Sequence, residues 1–328
     1  MKIRYCEKCV MPNTKPNMNF NESICPSCNY HLVKKSKKIS WIDRKKEFLK
    51  IIKNIKKKNS KNYDVLVPVS GGKDSITQVH HVLKAGLRVL AVNVDYGFKT
   101  EIGKYNLELI PKMGASLIIF RPDLKTHKKV LKISFEKYGD PDLMSHCMLH
   151  ALPIKIAIDF EIPLVFLGEN SALEYSGDEK YDAKKISHEW FEKYAANSGI
   201  TPKIFSRKHK IPYYKMKQYD LPKKKELKNT QPLFCSYFFK WDSKKNLKIA
   251  KKYGFKNLKN NSEGTYRNYV GIDEKINRIH QYIKFLKFGY GRATDHACED
   301  IRNNRISRHK GVYLVKKFDR VKISRYYF

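Results

Sequence analysis

Six consecutive residues, Ser70-Gly71-Gly72-Lys73-Asp74-Ser75, bring together groups suited to holding a phosphate. Two glycines let the backbone approach an anion closely. Lys73 adds a positive charge, and Ser70 and Ser75 offer hydroxyl donors. The residues ahead of them, 64–69, are apolar apart from Asp64 and Pro68, and a helix-compatible stretch, 74–85, follows. A strand feeding such a loop into a helix points the first helical amides, and the positive end of the helix dipole, at the bound group. The spacing is not that of the Walker loop, which needs four residues between Gly and Gly-Lys. Nor is it the dinucleotide fingerprint, which needs a third glycine. A plain Gly-Gly turn with an Asp or Ser cap is the bland alternative for the same residues.

A second constellation suits metal chemistry. Cys6-x2-Cys9, fifteen residues, then Cys25-x2-Cys28 has the spacing of a tetrahedral zinc ribbon, in which two CxxC knuckles face each other. Four thiolates leave no open coordination position, so the zinc expected here is structural. It would also stabilise a lobe too short to build its own core. Redox use of a CxxC is the alternative. His146, His150 and His296 lie in helix-compatible stretches without evident partners and read as structural histidines.

These groups need a scaffold, and the apolar runs supply one. Runs at 64–69, 87–94, 116–120 and 162–167 alternate with helix-compatible segments at 74–85, 101–113 and 147–160. Apolar strands alternating with helices indicate an α/β fold built on a parallel sheet. Ligands in such sheets collect at the carboxyl ends of strands. Asp95, and Gly168-Glu169-Asn170, stand at two such ends, although Asp95 serves equally as a turn-former. Before the sheet, 32–62 reads as a linking helix with Trp41, Phe48, Ile51, Ile52 and Ile55 as its apolar stripe. Residues 180–230 are Lys- and Tyr-rich and read as an insertion or lid. Residues 233–328 read as mainly helical, with Ile272, Ile276, Ile279, Ile283 and Leu286 at helical spacing and a second helix starting near Thr294.

Composition bounds the rest. The chain has 328 residues, and Lys plus Arg exceed Asp plus Glu by 67 to 32, a formal +35. The lysines are spread from Lys2 to Lys322, which fits a general lysine bias as well as a nucleic-acid binder. No stretch approaches the roughly 20 apolar residues of a membrane span, and MKIRYCEKCV has no apolar signal region. A cytoplasmic protein is expected, with its seven cysteines reduced.

SGGKDS resembles the PP-loop signature of the ATP pyrophosphatase superfamily, which includes asparagine and GMP synthetases and tRNA-thiolating enzymes. The resemblance implies a Rossmann-like PP-loop domain at 63–232, between a zinc-binding ribbon at 1–31 and the helical region at 233–328. It implies that ATP is split between its α and β phosphates, that the loop holds the leaving pyrophosphate, and that Asp74 helps to position magnesium. It places Asp95 near the nucleoside. Some tRNA-thiolating relatives hold an iron–sulfur cluster on three cysteines. Cys147 and Cys235 lie in comparable regions here, but Met144 stands where the third would be, so buried free cysteines are expected.

CEKCVMPNTKPNMNF at 6–20, IPLVFLGEN at 162–170, the run from Phe239, GTYRNYVGID at 264–273 and KFGYGRATDHACEDIRNNRISRHKGVYLVKKFD at 287–319 resemble the N-acetyl sugar amidotransferase family. That family converts an acetamido group of a bacterial surface sugar, a nonulosonic acid of pseudaminic or legionaminic type or a nucleotide-linked diacetamido sugar, to an acetamidino group. The resemblance implies catalysis by Lys73 and Asp74, and ATP binding by Ser70 to Ser75, Asp95, Gly168 and Asn170. Glu169, Arg292, Thr294 and Asp295 are the expected sugar contacts, although Thr294 and its neighbours also suit a helix cap. No glutaminase nucleophile is evident, so a separate glutamine amidotransferase subunit is expected to supply ammonia. The competing expectation is a PP-loop tRNA-modifying enzyme, with tRNA as its partner.

Overall fold

A computed structural model describes residues 2–16, 18–36, 39–58, 62–196 and 199–327. In chain order its principal elements begin with α1 (Pro26–Lys35), α2 (Trp41–Lys58), β1 (Val65–Pro68), α3 (Lys73–Lys84), β2 (Val89–Val94) and α4 (Glu101–Leu107). There follow β3 (Ser116–Phe120), α5 (Leu124–Tyr138), α6 (Leu143–Asp159), β4 (Leu164–Leu167) and β5 (Gln231–Phe234). The C-terminal part holds α7 (Ser243–Lys251), α8 (Lys275–Phe288), α9 (Arg292–Arg302) and α10 (Arg308–Phe318).

Contacts divide the chain into two compact units, neither continuous in sequence. One comprises residues 41–170 and 183–256 and carries the sheet. The other comprises residues 1–40, 171–182 and 257–328.

The sheet has five strands in the order β3-β2-β1-β4-β5, and every pairing is parallel. Val65, Leu66 and Val67, all of β2 and all of β4 are buried, which is why these runs read as continuously apolar and not alternating. The order reverses at β1: β2 lies on one side and β4 on the other. Adjacent crossovers therefore leave in opposite directions, opening a crevice at the carboxyl end of β1. The loop Ser70–Ser75 begins at that end.

The expected strands fall where the apolar runs lie. β5 carried no such signal, because QPLF is short and contains Pro232. Proline is tolerated in an outermost strand, and residues 184–186 cover that edge, with Phe234 N–H donating to the Lys184 carbonyl at 2.8 Å. The stretch 101–113 is broken at Glu108 into α4 and a short turn, Leu109–Lys112. The Lys/Tyr-rich segment is packed, not lid-like: Trp190, Phe191, Phe205 and Tyr219 are fully buried. The α2 stripe holds, with Phe48, Ile52 and Ile55 buried. In α8 the buried residues are Ile276, Arg278 and Gln281, while Leu286 is exposed. No helix among the described residues is long and apolar enough to cross a membrane.

In the other unit, the cysteine lobe and the C-terminal helices share one core. Val10, Met11 and Met18 pack with Tyr290, Ala297 and Cys298, backed by Ile301, Ile306, Val312 and Val315. At Gly311 an added Cβ would meet the tip of the Ile301 side chain at 2.7 Å, so a larger residue there would displace that side chain.

Candidate functional site

The turn from β1 into α3 is built by its own hydroxyls. Ser70 N–H donates to Ser75 Oγ at 2.9 Å, Gly72 N–H donates to Ser70 Oγ at 3.1 Å, and the two Oγ atoms are 3.2 Å apart. Gly71 has φ +92°, and a Cβ there would lie 2.5 Å from the Gly103 carbonyl of α4. That position is closed to other residues by both conformation and space. Gly72 has ordinary extended backbone (φ −81°, ψ 162°) and no side chain caps the first turn of α3. Lys73 is buried and its ammonium pairs with the Asp74 carboxylate at 2.5 Å. The other Asp74 oxygen accepts from Asn246 Nδ2 at 2.7 Å.

Asp95 follows β2 directly. Its Oδ1 accepts from Gly97 N–H at 2.9 Å and its Oδ2 from Arg121 Nε at 3.0 Å. Burial alone would raise its pKa; the Gly97 amide and the Arg121 and Lys99 charges outweigh that and hold it below the usual carboxylate value. The residue is thus ionised and doubly held, more than a turn-former needs. It lines a cavity of about 400 Å³ with Asn93, Lys99, Lys104, Ile119 and Arg121. Lys99 also donates to the Ser70 carbonyl at 3.1 Å, joining the cavity to the loop.

Gly168 and Asn170 follow β4. A Cβ on Gly168 would lie 2.8 Å from Gln78 Nε2, so glycine here admits an α3 side chain against the strand end. Asn170 is buried; its amide N–H donates to Ser236 Oγ and its Oδ1 accepts from Trp190 Nε1, each at 2.9 Å. Its side-chain oxygen is therefore engaged in holding the packed segment. Glu169 between them is half-buried.

The four cysteines converge. Their sulfurs lie within 4.8 Å of one another, with Cys6–Cys28 at 3.9 Å and Cys9–Cys25 at 3.6 Å. A tetrahedron with Zn–S near 2.3 Å has edges of about 3.8 Å, so the donor set fits a structural zinc. Cys25 N–H points at Cys6 Sγ at 3.3 Å, the amide-to-sulfur bond of a metal knuckle. Arg308 braces both turns of the first knuckle through the Cys9 and Cys6 carbonyls. Burial works against the charge of Arg302, but the sulfurs of Cys298, Cys9, Cys28 and Cys25 outweigh it and raise its pKa. A tetrathiolate carries excess negative charge, which Arg302 offsets.

In the same unit α9 starts at Arg292, two residues before Thr294, and its cap comes from far along the chain. Asp319 accepts from the Gly291, Ala293 and Thr294 amides and from Thr294 Oγ1. Thr294 thus bonds to the cap without supplying it. Asp295 is buried beneath cations. Burial would raise its pKa; Lys284, Lys15 and Arg292 outweigh it and lower it. Lys284 pairs with it at 2.5 Å, and Arg292 lies at 3.9 Å. Asp295 and Thr294 are engaged within the fold, and Arg292 is half-buried, with its guanidinium also 5.9 Å from the Tyr175 ring centroid.

Cys147 lies within bonding distance of the Leu143 and Ala195 carbonyls, and Cys147 and Cys235 belong to no metal-holding group among the described residues. His296 Nδ1 bonds Thr265 Oγ1 at 2.6 Å, and His150 stacks edge-on against Trp190. Sequence reasoning did not find Asn246, Lys99, Arg121 or Gln78. Asn246 follows the α7 cap residue Asp242, but nothing local ties α7 to the loop.

Comparison with known proteins adds one match. Residues 263–328 fit the family model described as LPS biosynthesis protein WbpG-like, C-terminal domain. The match spans α8, α9 and α10 and lies within the unit that holds the cysteine cluster. No curated protein matches the chain.

Proposed function

We propose that this chain is an ATP-dependent N-acetyl sugar amidotransferase, converting an acetamido group of a bacterial surface sugar to an acetamidino group. The observation that carries the nucleotide half is the Ser70–Ser75 loop, a hydroxyl-braced double-glycine turn at the carboxyl end of β1 where the strand order reverses. A PP-loop reading of that turn assigns pyrophosphate to it and the nucleoside to the cavity beside Asp95. The sugar half draws on the match of residues 263–328 to the WbpG-like model for LPS biosynthesis.

An amide is a poor electrophile until its oxygen is activated. In the proposed reaction the acetamido oxygen attacks the α-phosphorus of ATP and the bond to the β-phosphate oxygen breaks. The amide N–H proton is lost, leaving an O-adenylyl imidate and pyrophosphate. Ammonia then adds to the imidate carbon and AMP departs with the former amide oxygen, leaving the amidine. No protein nucleophile is required; positioning and charge neutralisation supply the catalysis. Ser70, Ser75 and Lys73 bind the leaving group. Asn246 orients the Asp74 carboxylate, whose side chain is 37% exposed. That single carboxylate suits magnesium, which takes one or two protein carboxylates together with phosphate oxygens. When bound, the ion would neutralise phosphate charge. Arg292 is the residue offered to an anionic sugar, and a separate glutaminase subunit would deliver ammonia.

The test is product analysis with ATP, magnesium, ammonium and a panel of N-acetyl sugars. AMP and pyrophosphate appearing only with one sugar support the proposal. ADP and phosphate as products overturn it.

A further inference from the structure

Lys99 belongs to none of the motifs read from sequence. It is half-buried, it lines the cavity that holds Asp95 and Arg121, and its ammonium reaches back to the Ser70 carbonyl at 3.1 Å. One side chain therefore touches both the loop after β1 and the cavity after β2. Adjacent strands lie about 4.8 Å apart, so a ligand occupying both places must pass this ammonium.

Its placement is fixed on two sides. Thr100, the next residue, caps α4 by accepting from Gly103 N–H at 3.0 Å. Gly71 packs so closely on the Gly103 carbonyl that no Cβ fits between them. The backbone of α4 and the turn of the loop are thus locked together, with Lys99 at their junction. Asn93 Nδ2, one residue inside β2, adds a further tie by donating to the Val69 carbonyl at 2.7 Å.

We propose that Lys99 is a catalytic residue whose ammonium binds the α-phosphate of ATP during adenylyl transfer, with the nucleoside in the Asp95 cavity and the pyrophosphate in the Ser70–Ser75 loop. This rests on the nucleotide-binding reading given above. The α-phosphate is the one part of ATP that must lie between those two places. In the transition state, charge builds on the oxygens of the transferred group and on the departing pyrophosphate. A cation already held at that point stabilises it without reorganising. A phosphate oxygen is a stronger acceptor for the ammonium than the neutral Ser70 carbonyl, because both partners then carry charge. Lys73, buried and paired to Asp74, is committed at the other end of the loop.

Binding of fragments tests this without knowing the sugar. Adenosine, AMP and pyrophosphate are titrated separately, by calorimetry, into the full chain, its Lys99→Met variant and its Lys99→Arg variant. Lys99→Met should lose about tenfold or more in AMP affinity, as expected for a bond to a charged group, while adenosine and pyrophosphate bind as in the parent. Lys99→Arg should retain most of the AMP affinity. Unchanged AMP binding in Lys99→Met overturns the assignment. Equal losses for all three ligands also overturn it, because they mark Lys99 as a structural brace of the loop. A parent protein that binds none of the three defeats the nucleotide reading itself, a result separate from either variant outcome.

Discussion

Asn246 Nδ2 donates to Asp74 Oδ1 at 2.7 Å across 172 residues of chain. The bond is reinforced from the opposite direction, since Thr77 Oγ1 of α3 lies 3.1 Å from the Asn246 carbonyl and 3.0 Å from the Lys73 carbonyl. α7 thus grips the start of α3 and fixes the direction in which the loop carboxylate points. Asn246→Ala should leave the fold intact at a cost of about 1 kcal/mol, the usual net worth of one hydrogen bond. It should weaken magnesium-dependent ATP binding by several-fold while magnesium-free pyrophosphate binding changes little. Isothermal titration with and without magnesium reads both quantities, and equal affinities in parent and variant would contradict the orienting role.

The two loop glycines should respond differently to alanine. Gly71→Ala combines a left-handed backbone with a Cβ 2.5 Å from the Gly103 carbonyl. Strain of that kind costs about 1–3 kcal/mol before the clash is counted. At Gly72 the backbone is one any residue adopts. Denaturant unfolding should therefore show Gly71→Ala markedly destabilised and Gly72→Ala close to the parent. The reverse order would mean that the turn is built otherwise.

Much of the sheet unit was legible because β1, β2 and β4 are buried nearly throughout, and such burial shows as almost wholly apolar runs such as LVFL. The cysteine site was legible because a tetrahedral metal demands short, paired spacings. β5 was not legible: QPLF is only four residues long and carries Pro232 inside it, which an outermost strand tolerates. The partners of the site residues were also hidden. Asn246, Asp319 and Lys99 act on Asp74, Thr294 and Ser70 through contacts that only the closed fold creates, and each is an ordinary surface-type residue in sequence. The stripe expected in α8 failed at Leu286 because the polar Arg278 and Gln281 are buried there instead.

Zinc should be present at close to one ion per chain in freshly purified protein, bound by Cys6, Cys9, Cys25 and Cys28. The lobe and the C-terminal helices share a core, so stripping the metal with a strong chelator should do more than loosen residues 1–31. Near-ultraviolet circular dichroism should lose signal from the aromatic residues of that core, Tyr266, Phe288 and Tyr290 among them. An intact spectrum in metal-free protein would show that the core stands without zinc.

Acid should weaken the sheet unit through His127. This side chain is buried, stacked on Tyr96 and bonded at Nδ1 to the Tyr219 hydroxyl, and burial lowers its pKa to about 4. The folded state thus keeps the ring neutral where the unfolded chain, near 6.5, takes a proton. Its contribution to stability is complete above pH 6.5 and declines as the pH falls toward 4, by up to about 3 kcal/mol. Urea unfolding at a series of pH values should show that decline, and His127→Phe should make it shallower, leaving the part due to His81 and His150, which burial also lowers. A slope identical in the variant would assign the acid sensitivity to other groups.

In the proposed reaction an amide oxygen of an N-acetyl sugar leaves on AMP and nitrogen takes its place. Mass spectrometry reads that exchange directly. The full chain is incubated with ATP, magnesium and concentrated ammonium, which stands in for the proposed glutaminase partner, and with a panel of free and nucleotide-linked N-acetyl sugars. One sugar should lose about one mass unit, as the exchange of O for NH in amide activation requires, with AMP formed in equal amount. No change in any sugar, while tRNA added in parallel gains sulfur or drives ATP consumption, would contradict the account and favour a tRNA-modifying enzyme.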